Sequence, residues 1–596
     1  MKKIKNIAII AHVDHGKTTL VDQLIKSSDT IVKSAETTTR LMDSNDIEKE
    51  RGITILAKTT GIKYKDYTIN ILDTPGHCDF GGEVERIMNM VDGVLLLVDA
   101  FEGVMPQTRF VLKKALEHKI KPIVVLNKID RPNINIKGTL DQILELFIDL
   151  DAPEEFLNFK VAYTSGLKGT SSLSPELDTQ KPGMQPILDM IINEMPDPSI
   201  SEGPFQFQAS LLDYNDFVGR IGIGLIKRGK VHVGDIVTAM RIDGTNKQFK
   251  ILKLFGYYGL KRLEIEEAEA GEIVAISGLP DINVGETVCE TAHLEALPFI
   301  KIDEPTLEMT FGVNSSPFSG KDGKLVTARV IEERLYKETQ KDVSLKVSRI
   351  LGKEEWKVLG RGELHLGVLI ENMRREGFEL EVSKPKVVIK NINGIDCEPY
   401  EDCVIEVPIE DEGTIIEQLG LREGEMISLE EGNTMAKLVY VIPSRGLLGF
   451  VNNFLSMTKG YGTLSHLFKD YRPKIQKEVG ERLMGVLVST AAGKSTPYAI
   501  EHVEEHGTMF IKPGEEVYEG MIVGEHRYTN DLAVSVTLEK HQSNTRSAGK
   551  DNTVVLKATR NLSLESCLDY INSDELVEVT PHHFRMRKKI LNTAER

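Results

Sequence analysis

Through residues 1–200, short unbroken apolar runs alternate with stretches of helical periodicity; the runs are Ile7-Ala8-Ile9-Ile10, Thr68–Leu72, Gly93–Val98 and Ile123–Leu126. Such runs fit strands buried on both faces, and helices between them predict a doubly wound, mainly parallel α/β domain. A helical segment over Ile187–Ile192 is stopped by Met195-Pro196-Asp197-Pro198, where two prolines forbid continuation, and the first boundary falls there. From 201 to 300 the pattern changes to short β-rich runs between glycine turns, among them Arg220–Gly224, Lys230–Asp235 and Gly271–Ala275, which predicts a small β-barrel. Beyond Glu304-Pro305 strands alternate with helical spacing at Thr327–Tyr336 and Leu366–Arg375, predicting an α+β domain over 301–390. A second α+β unit is expected over 391–478 and a β-rich unit of strands and polar loops over 479–596.

The length of 596 residues agrees with such a division, at roughly 100–200 residues per domain. With 41% hydrophobic and 27% charged residues the composition is that of a globular chain, and no apolar stretch approaches the ~20 residues that cross a bilayer. The basic start, Met1–Asn6, leads into a strand pattern rather than a secretory signal, so a cytoplasmic location without membrane contact is expected. Five cysteines, Cys78, Cys289, Cys397, Cys403 and Cys567, lie scattered without a C-x-x-C pair and read as reduced, buried thiols. The formal charge of −17 would repel a phosphate backbone if spread evenly. Two local basic clusters oppose it: Lys540–Lys550, with Arg546 and Lys550, and Arg585, Arg587, Lys588 and Lys589.

Between the first strand and the first helix stands Ala11-His12-Val13-Asp14-His15-Gly16-Lys17-Thr18, followed by Thr19, a phosphate loop with alanine in place of the first glycine. Backbone N–H groups there cradle phosphates, Lys17 reaches the outer ones, and the Thr18 hydroxyl suits Mg²⁺. Asp73-Thr74-Pro75-Gly76 also follows a strand, as needed for Asp73 to hold Mg²⁺ through water and for the Gly76 N–H to meet a γ-phosphate. Asn127-Lys128-Ile129-Asp130 follows another. A carboxylate at Asp130 accepts two hydrogen bonds from guanine's ring N–H and amino group, a donor pair adenine lacks, so GTP and GDP are the expected nucleotides. Ser165, Gly166 and Leu167, after the fifth strand, would offer backbone donors to guanine's carbonyl oxygen.

Together, A-H-V-D-H-G-K-T-T, M-D-S-N-D-I-E-K-E-R-G-I-T-I and D-T-P-G-H-C-D-F resemble the translational GTPases. That resemblance implies that Thr54 closes on Mg²⁺ and the γ-phosphate, that His77 is the catalytic histidine with Val13 and Ile53 as its apolar gate, and that Asp14 accompanies a monovalent cation, K⁺. Phe311–Gly320, Gly360–Leu380, Val517–His526 and Glu575–Pro581 resemble the BipA/TypA family in particular, and the likeness covers nearly the whole chain. The implied fold class is multidomain, α/β and β: a P-loop GTPase domain, a β-barrel, two α+β (ferredoxin-like) domains and a β-rich C-terminal domain. These correspond to domains I, II, III and V of elongation factor G plus a family-specific domain. Departures lie at Gly449–Phe454, at Asn544–Lys550 and at Ser165-Gly166, where the family has Ser-Ala.

The implied activity is ribosome-stimulated hydrolysis of GTP to GDP and phosphate by a monomer that binds ribosomes in its GTP state. It would act in assembly of the large subunit and in translation under stress or cold. Its partners would be rRNA, tRNA and ribosomal proteins, with Arg546, Lys550, Arg585, Arg587 and Lys588 as RNA contacts, and (p)ppGpp as a further nucleotide. Two alternatives stay open: LepA- or elongation-factor-like action on tRNA in translating ribosomes, and GTP-gated binding of a non-ribosomal partner, which the net charge favours.

Overall fold

Six strands carry the N-terminal part: β1 (Lys3–Ala11), β2 (Lys58–Tyr64), β3 (Tyr67–Asp73), β4 (Gly93–Asp99), β5 (Lys121–Asn127) and β6 (Val161–Ser165). The computed structural model describes residues 2–596 except 13–14, 31–45, 52–53, 76–77, 301–303, 433, 460, 478, 540–555 and 561. Val13, Asp14, Ile53, Gly76, His77, Arg546 and Lys550 therefore lie outside the described residues. The chain divides into two units, Met1–Glu304 with Gln340–Ser344, and Pro305–Thr339 with Leu345–Arg596.

In the first unit the strand order is β2-β3-β1-β4-β5-β6, continued by the short strands Thr170–Ser172 and Lys181–Pro182. β3, β1, β4, β5 and β6 run parallel and β2 antiparallel to β3. Every residue of β4 is buried, as expected for a strand covered on both faces. One core gathers Ile7, Ile9, Leu95, Val125 and Ile187, so the helix Gln185–Glu194 packs back onto the sheet. The loops after β1, β3, β5 and β6 thus emerge at one edge, outside the carboxyl ends of parallel strands, where open α/β sheets bind ligands.

Eight antiparallel strands between Gln206 and Glu290 form the barrel, its core including Phe207, Val237, Leu254 and Val274. It is joined to the α/β domain through β2: Gly61 and Gly259 exchange backbone hydrogen bonds of 3.1 and 2.6 Å. A side chain at Gly61 would put its Cβ 2.3 Å from the Tyr257 carbonyl oxygen, so only glycine permits this approach.

The second unit opens with a β-α-β-β-α-β module: Leu307–Gly312, helix Ala328–Lys341, Lys346–Arg349, Glu355–Gly360, helix Glu363–Arg375 and Leu380–Ser383. The strand 395–408 begins a second module of the same order, packed around Cys403, Ile415, Leu438 and Phe454. A third, smaller sheet holds Val486–Ser489, Gly507–Met509, Ile522–His526 and Leu532–Val534.

The boundary expected at 479 is crossed by pairing. Strands Glu575–Val579 and Phe584–Lys588 extend the first module's sheet beyond Leu380–Ser383, and Trp356, Ile370, Leu564, Val577 and Val579 share one core. The strands Leu307–Gly312, Glu355–Gly360 and Leu380–Ser383 and the two strands near the chain's end therefore share one sheet and one core.

This pairing sets Arg585, Arg587 and Lys588, expected from sequence as RNA contacts, against internal carboxylates. Arg587 is 2% exposed and its guanidinium donates to Ser315 Oγ at 2.6 Å and to Glu381. Arg585 donates to Glu578 at 3.2 Å, and the Lys588 ammonium sits among Asp531, Asp574 and Glu575 at 2.6, 2.7 and 2.9 Å. Arg585 and Arg587 share one face of the strand and Lys588 lies on the other, and each meets carboxylates there, Glu578, Glu381, and Asp531 with Asp574 and Glu575.

Glu578, 0% exposed, accepts from Ser316, Asn314, Tyr518 and Arg585 at 2.8, 3.1, 2.9 and 3.2 Å. Burial and this facing carboxylate push the Tyr518 phenol well above its ordinary value, which keeps it a donor. Removing one partner of a buried charged set strands the others. Glu578→Ala should lower the stability of the second unit by about 3–5 kcal/mol, read as a shift of its urea transition, with GTP affinity unchanged. An unmoved transition would show that the cluster contributes nothing to folding.

Candidate nucleotide site

The first helix, α1 (Lys17–Lys26), begins directly after the phosphate loop. Gly16 has φ +92°, and a Cβ there would lie 2.4 Å from Asn127 Nδ2. Glycine is required twice over, by conformation and by space. Asn127, 2% exposed at the end of β5, donates from Nδ2 to the His15 carbonyl at 2.7 Å, and its Oδ1 accepts from the Gly166 N–H at 3.0 Å. One amide thereby fixes the phosphate loop against the loop after β6. Lys17, Thr18 and Thr19 occupy the first turn of α1, half-buried, so backbone N–H groups and a cationic side chain share one helix end.

His15 is fully buried and accepts from the Asp99 N–H at 3.3 Å through Nδ1. Burial and the neighbouring His12 push its pKa down to about 4, against an opposing pull from Asp99, so the ring is neutral at pH 7. Glu102 stands 3.4 Å from Nε2.

Lys17 gathers the predicted metal and phosphate residues. Its ammonium donates to Thr54 Oγ1, to the Thr74 carbonyl at 3.1 Å, and pairs with Asp73 Oδ1 at 2.5 Å. Thr54 Oγ1 also lies 3.5 Å from Asp73 Oδ2. Burial raises the Asp73 pKa, and Lys17 pulls it down by charge and hydrogen bond, with the net shift upward. A buried carboxylate and a hydroxyl converging on one cation form the hard-oxygen donor set that Mg²⁺ takes, so the residues present fit that ion.

The segment bearing Thr54 is held by a residue the motif reading passed over. Glu48, 1% exposed, accepts from the Ile55 and Leu56 N–H groups at 2.9 and 3.2 Å and pairs with Lys58 at 2.6 Å. It stands within the quoted I-E-K-E-R-G-I-T-I run, and its one signal was an acidic side chain preceding a strand rich in backbone donors. Asp99, at the end of β4, was missed likewise; it pairs with Lys128 at 2.7 Å and Arg131 at 3.4 Å.

At the base reader, Lys128 has φ +60°, turning the chain so that Asp130 faces the loop after β6. Asp130 pairs with Lys168 at 3.3 Å. Burial works to raise its pKa, but hydrogen bonds from Ser165 and Lys168 outweigh that and lower it, leaving an ionised acceptor. The loop closes on itself, with the Gly169 N–H on the Ser165 carbonyl at 2.9 Å, while Leu167 stands 87% exposed. The structure thus brings together Lys17, Thr54 and Asp73 on one side, and Asn127, Asp130, Ser165 and Gly166 on the other.

The family model for the elongation factor Tu GTP binding domain matches residues 2–197, and that for elongation factor Tu domain 2 matches 219–289. The elongation factor G C-terminus model matches 396–481, and the TypA/BipA C-terminal domain model 484–593. The Bacillus subtilis (strain 168) protein named large ribosomal subunit assembly factor BipA is 57% identical over 595 residues, 100% of this chain and 97% of that protein. The Escherichia coli (strain K12) protein of the same name is 50% identical over 598 residues, 100% of this chain and 98% of its own. A crystal structure from Thermus thermophilus is similar in fold at 18% identity, with a TM-score of 0.55, covering 80% of this chain and 98% of its own.

Asp130→Asn exchanges an acceptor for a donor, so it should weaken GTP binding by about 1.5–3 kcal/mol, tenfold or more, and favour xanthosine triphosphate. Competition binding checks this, and an undiminished preference for GTP would refute the assignment. His15 supplies a pH dependence. Its folded value lies below the ordinary 6.5, so on acidification the unfolded chain takes the proton first. The stability this neutral ring provides is present above pH 6.5 and lost as pH falls toward 4, about 3 kcal/mol in all. His15→Gln should flatten that part of the stability-pH curve of the first unit, measured by urea unfolding; an unaltered slope would assign it elsewhere.

Proposed function

We propose, from the premise that this chain belongs to the TypA/BipA family of translational GTPases, that it binds ribosomes in its GTP state and acts in assembly of the large ribosomal subunit. The observation that carries the reading is collinear similarity through the whole chain to relatives named for that role, joined to a GTP site whose described elements are in place. The same reading extends to translation under stress or cold, in the cytoplasm, by a monomer.

Hydrolysis is in-line attack of water on the γ-phosphate, and catalysis is mostly positioning and stabilisation of spreading negative charge. Lys17 supplies a fixed cation at the outer phosphates. The Thr18 and Thr54 hydroxyls and, through water, Asp73 are the oxygens that would hold Mg²⁺, whose chemistry there is charge neutralisation. His77 orients the water behind the gate of Val13 and Ile53, and Asp14 accompanies K⁺. Asn127, Lys128, Asp130 and the Ser165–Leu167 loop hold guanine, and (p)ppGpp carries the same base to the same reader. Thr54 links nucleotide state to shape: with GTP it closes, and release of phosphate frees the segment tethered to β2, so ribosome affinity follows the nucleotide.

Co-sedimentation with ribosomal particles tests this. With a non-hydrolysable GTP analogue the protein should pellet with large subunits or whole ribosomes, and with GDP it should remain in the supernatant; equal behaviour in both states would overturn the reading. His77→Ala should bind GTP and ribosomes nearly as wild type does while losing ribosome-stimulated turnover. Most of that turnover surviving would remove His77 from catalysis.

A further inference from the structure

We propose that a cleft in the first sheet of the C-terminal unit binds a backbone phosphate of RNA through Lys357, Lys384, Lys386 and Lys589. The cleft encloses about 250 Å³. It lies beside Leu307–Gly312, Glu355–Gly360 and the strands that carry Ser383 and Lys386, with Lys589 and Ser573 contributed from the end of the chain. Of the C-terminal basic run, Arg585, Arg587 and Lys588 are spent on internal carboxylates, whereas Lys589 lines this opening.

Charge and volume select the ligand. Four lysines line the cleft beside one lining carboxylate, Glu308, which pairs with Lys357. Lys589 donates to the Ser573 carbonyl at 2.5 Å and Lys384 to the Gly480 carbonyl at 3.5 Å, both neutral acceptors. Lys386 has no carboxylate partner among the described residues. Burial and Arg482 push the Lys384 ammonium toward its neutral form, against the pull of Glu481, Glu575 and Asp569. A nearby anion would favour the charged form of Lys384. The opening is smaller than the roughly 300–1,000 Å³ usual for whole-ligand pockets. No aromatic ring lines it, so nothing there stacks on a base. Those features fit one phosphate whose chain continues over the surface, and fit a free nucleotide poorly.

The choice of RNA rests on the ribosome reading above; the cleft's preference for phosphate does not. Fluorescence anisotropy of the full-length protein, saturated with GTP analogue, with a fluorescein-labelled RNA hairpin at about 50–200 mM KCl reads both affinity and salt slope. Lys384→Ala with Lys386→Ala should weaken binding about tenfold at the lowest salt and flatten the log–log slope by about 0.7–0.9, the share of the one phosphate held there. Lys386→Arg should keep the wild-type slope and Lys386→Glu should lose more affinity than Lys386→Ala. Retained GTP binding and an unchanged thermal transition establish that these variants are folded. Wild-type affinity and slope in both the double variant and Lys386→Glu would overturn the proposal. Calorimetry with inorganic pyrophosphate on the same GTP-analogue-saturated protein tests the other source: lysine-dependent pyrophosphate binding with RNA binding untouched would also overturn it. Because no ribosome enters these assays, a failed co-sedimentation and a failed cleft are separately visible.

Discussion

The Asn127 side-chain amide holds the nucleotide site together. It bonds the phosphate loop through the His15 carbonyl and the base loop through the Gly166 N–H, and it occupies the space that makes Gly16 obligatory. A buried amide that uses both its donor and its acceptor cannot shift without leaving one of them unpaired, and each unpaired group costs about 1–3 kcal/mol. The phosphate-binding and guanine-binding ends are therefore held at one separation before any ligand arrives. Such preorganisation lowers the ordering cost of binding and leaves the ligand's binding energy for moving the segment around Thr54.

That segment is the point at which nucleotide chemistry meets the rest of the first unit. Thr54 touches Lys17 and lies beside Asp73, the next residues are held by Glu48, and the chain then runs into β2. Gly61 of β2 bonds backbone to backbone with Gly259 of the barrel. From the phosphate end to the barrel the connection is eight residues of continuous chain, Thr54 to Gly61, fastened at both ends by polar contacts. A displacement at Thr54 passes through the segment held by Glu48 into the paired strand β2, a short and physically contiguous coupling.

Most of the first unit was legible in sequence because its determinants are local. Apolar runs such as Gly93–Val98 specify doubly covered strands, and a glycine, lysine and threonine in series at a helix start specify phosphate chemistry wherever they occur. Asp73 and Asn127 were legible for the same reason, each being the polar terminus of a buried strand, and Asp130 follows Asn127 in the turn after it. Glu48 and Asp99 were not, since their partners are backbone N–H groups and cations that only the folded loops bring near. The end of the chain was misread for a stronger version of that reason. Glu575–Val579 pairs with Leu380–Ser383 across nearly two hundred residues, and no periodicity within either strand announces its partner.

The same long-range pairing resolves how an acidic chain can approach a polyanion. Net charge counts every basic residue alike, yet Arg587 at 2% exposure and Lys588 at 4% are already neutralised by Glu381, Asp531, Asp574 and Glu575. Their charges are confined to a low-dielectric interior and matched by opposite ones nearby, so little of their field reaches a ligand in solution. Lys384 and Lys386 differ in the neighbours the sheet gives them: a distant carbonyl for one, and no carboxylate among the described residues for the other. Local potential depends on where charges lie and how they are paired after folding, so a net charge of −17 is compatible with the phosphate site proposed above.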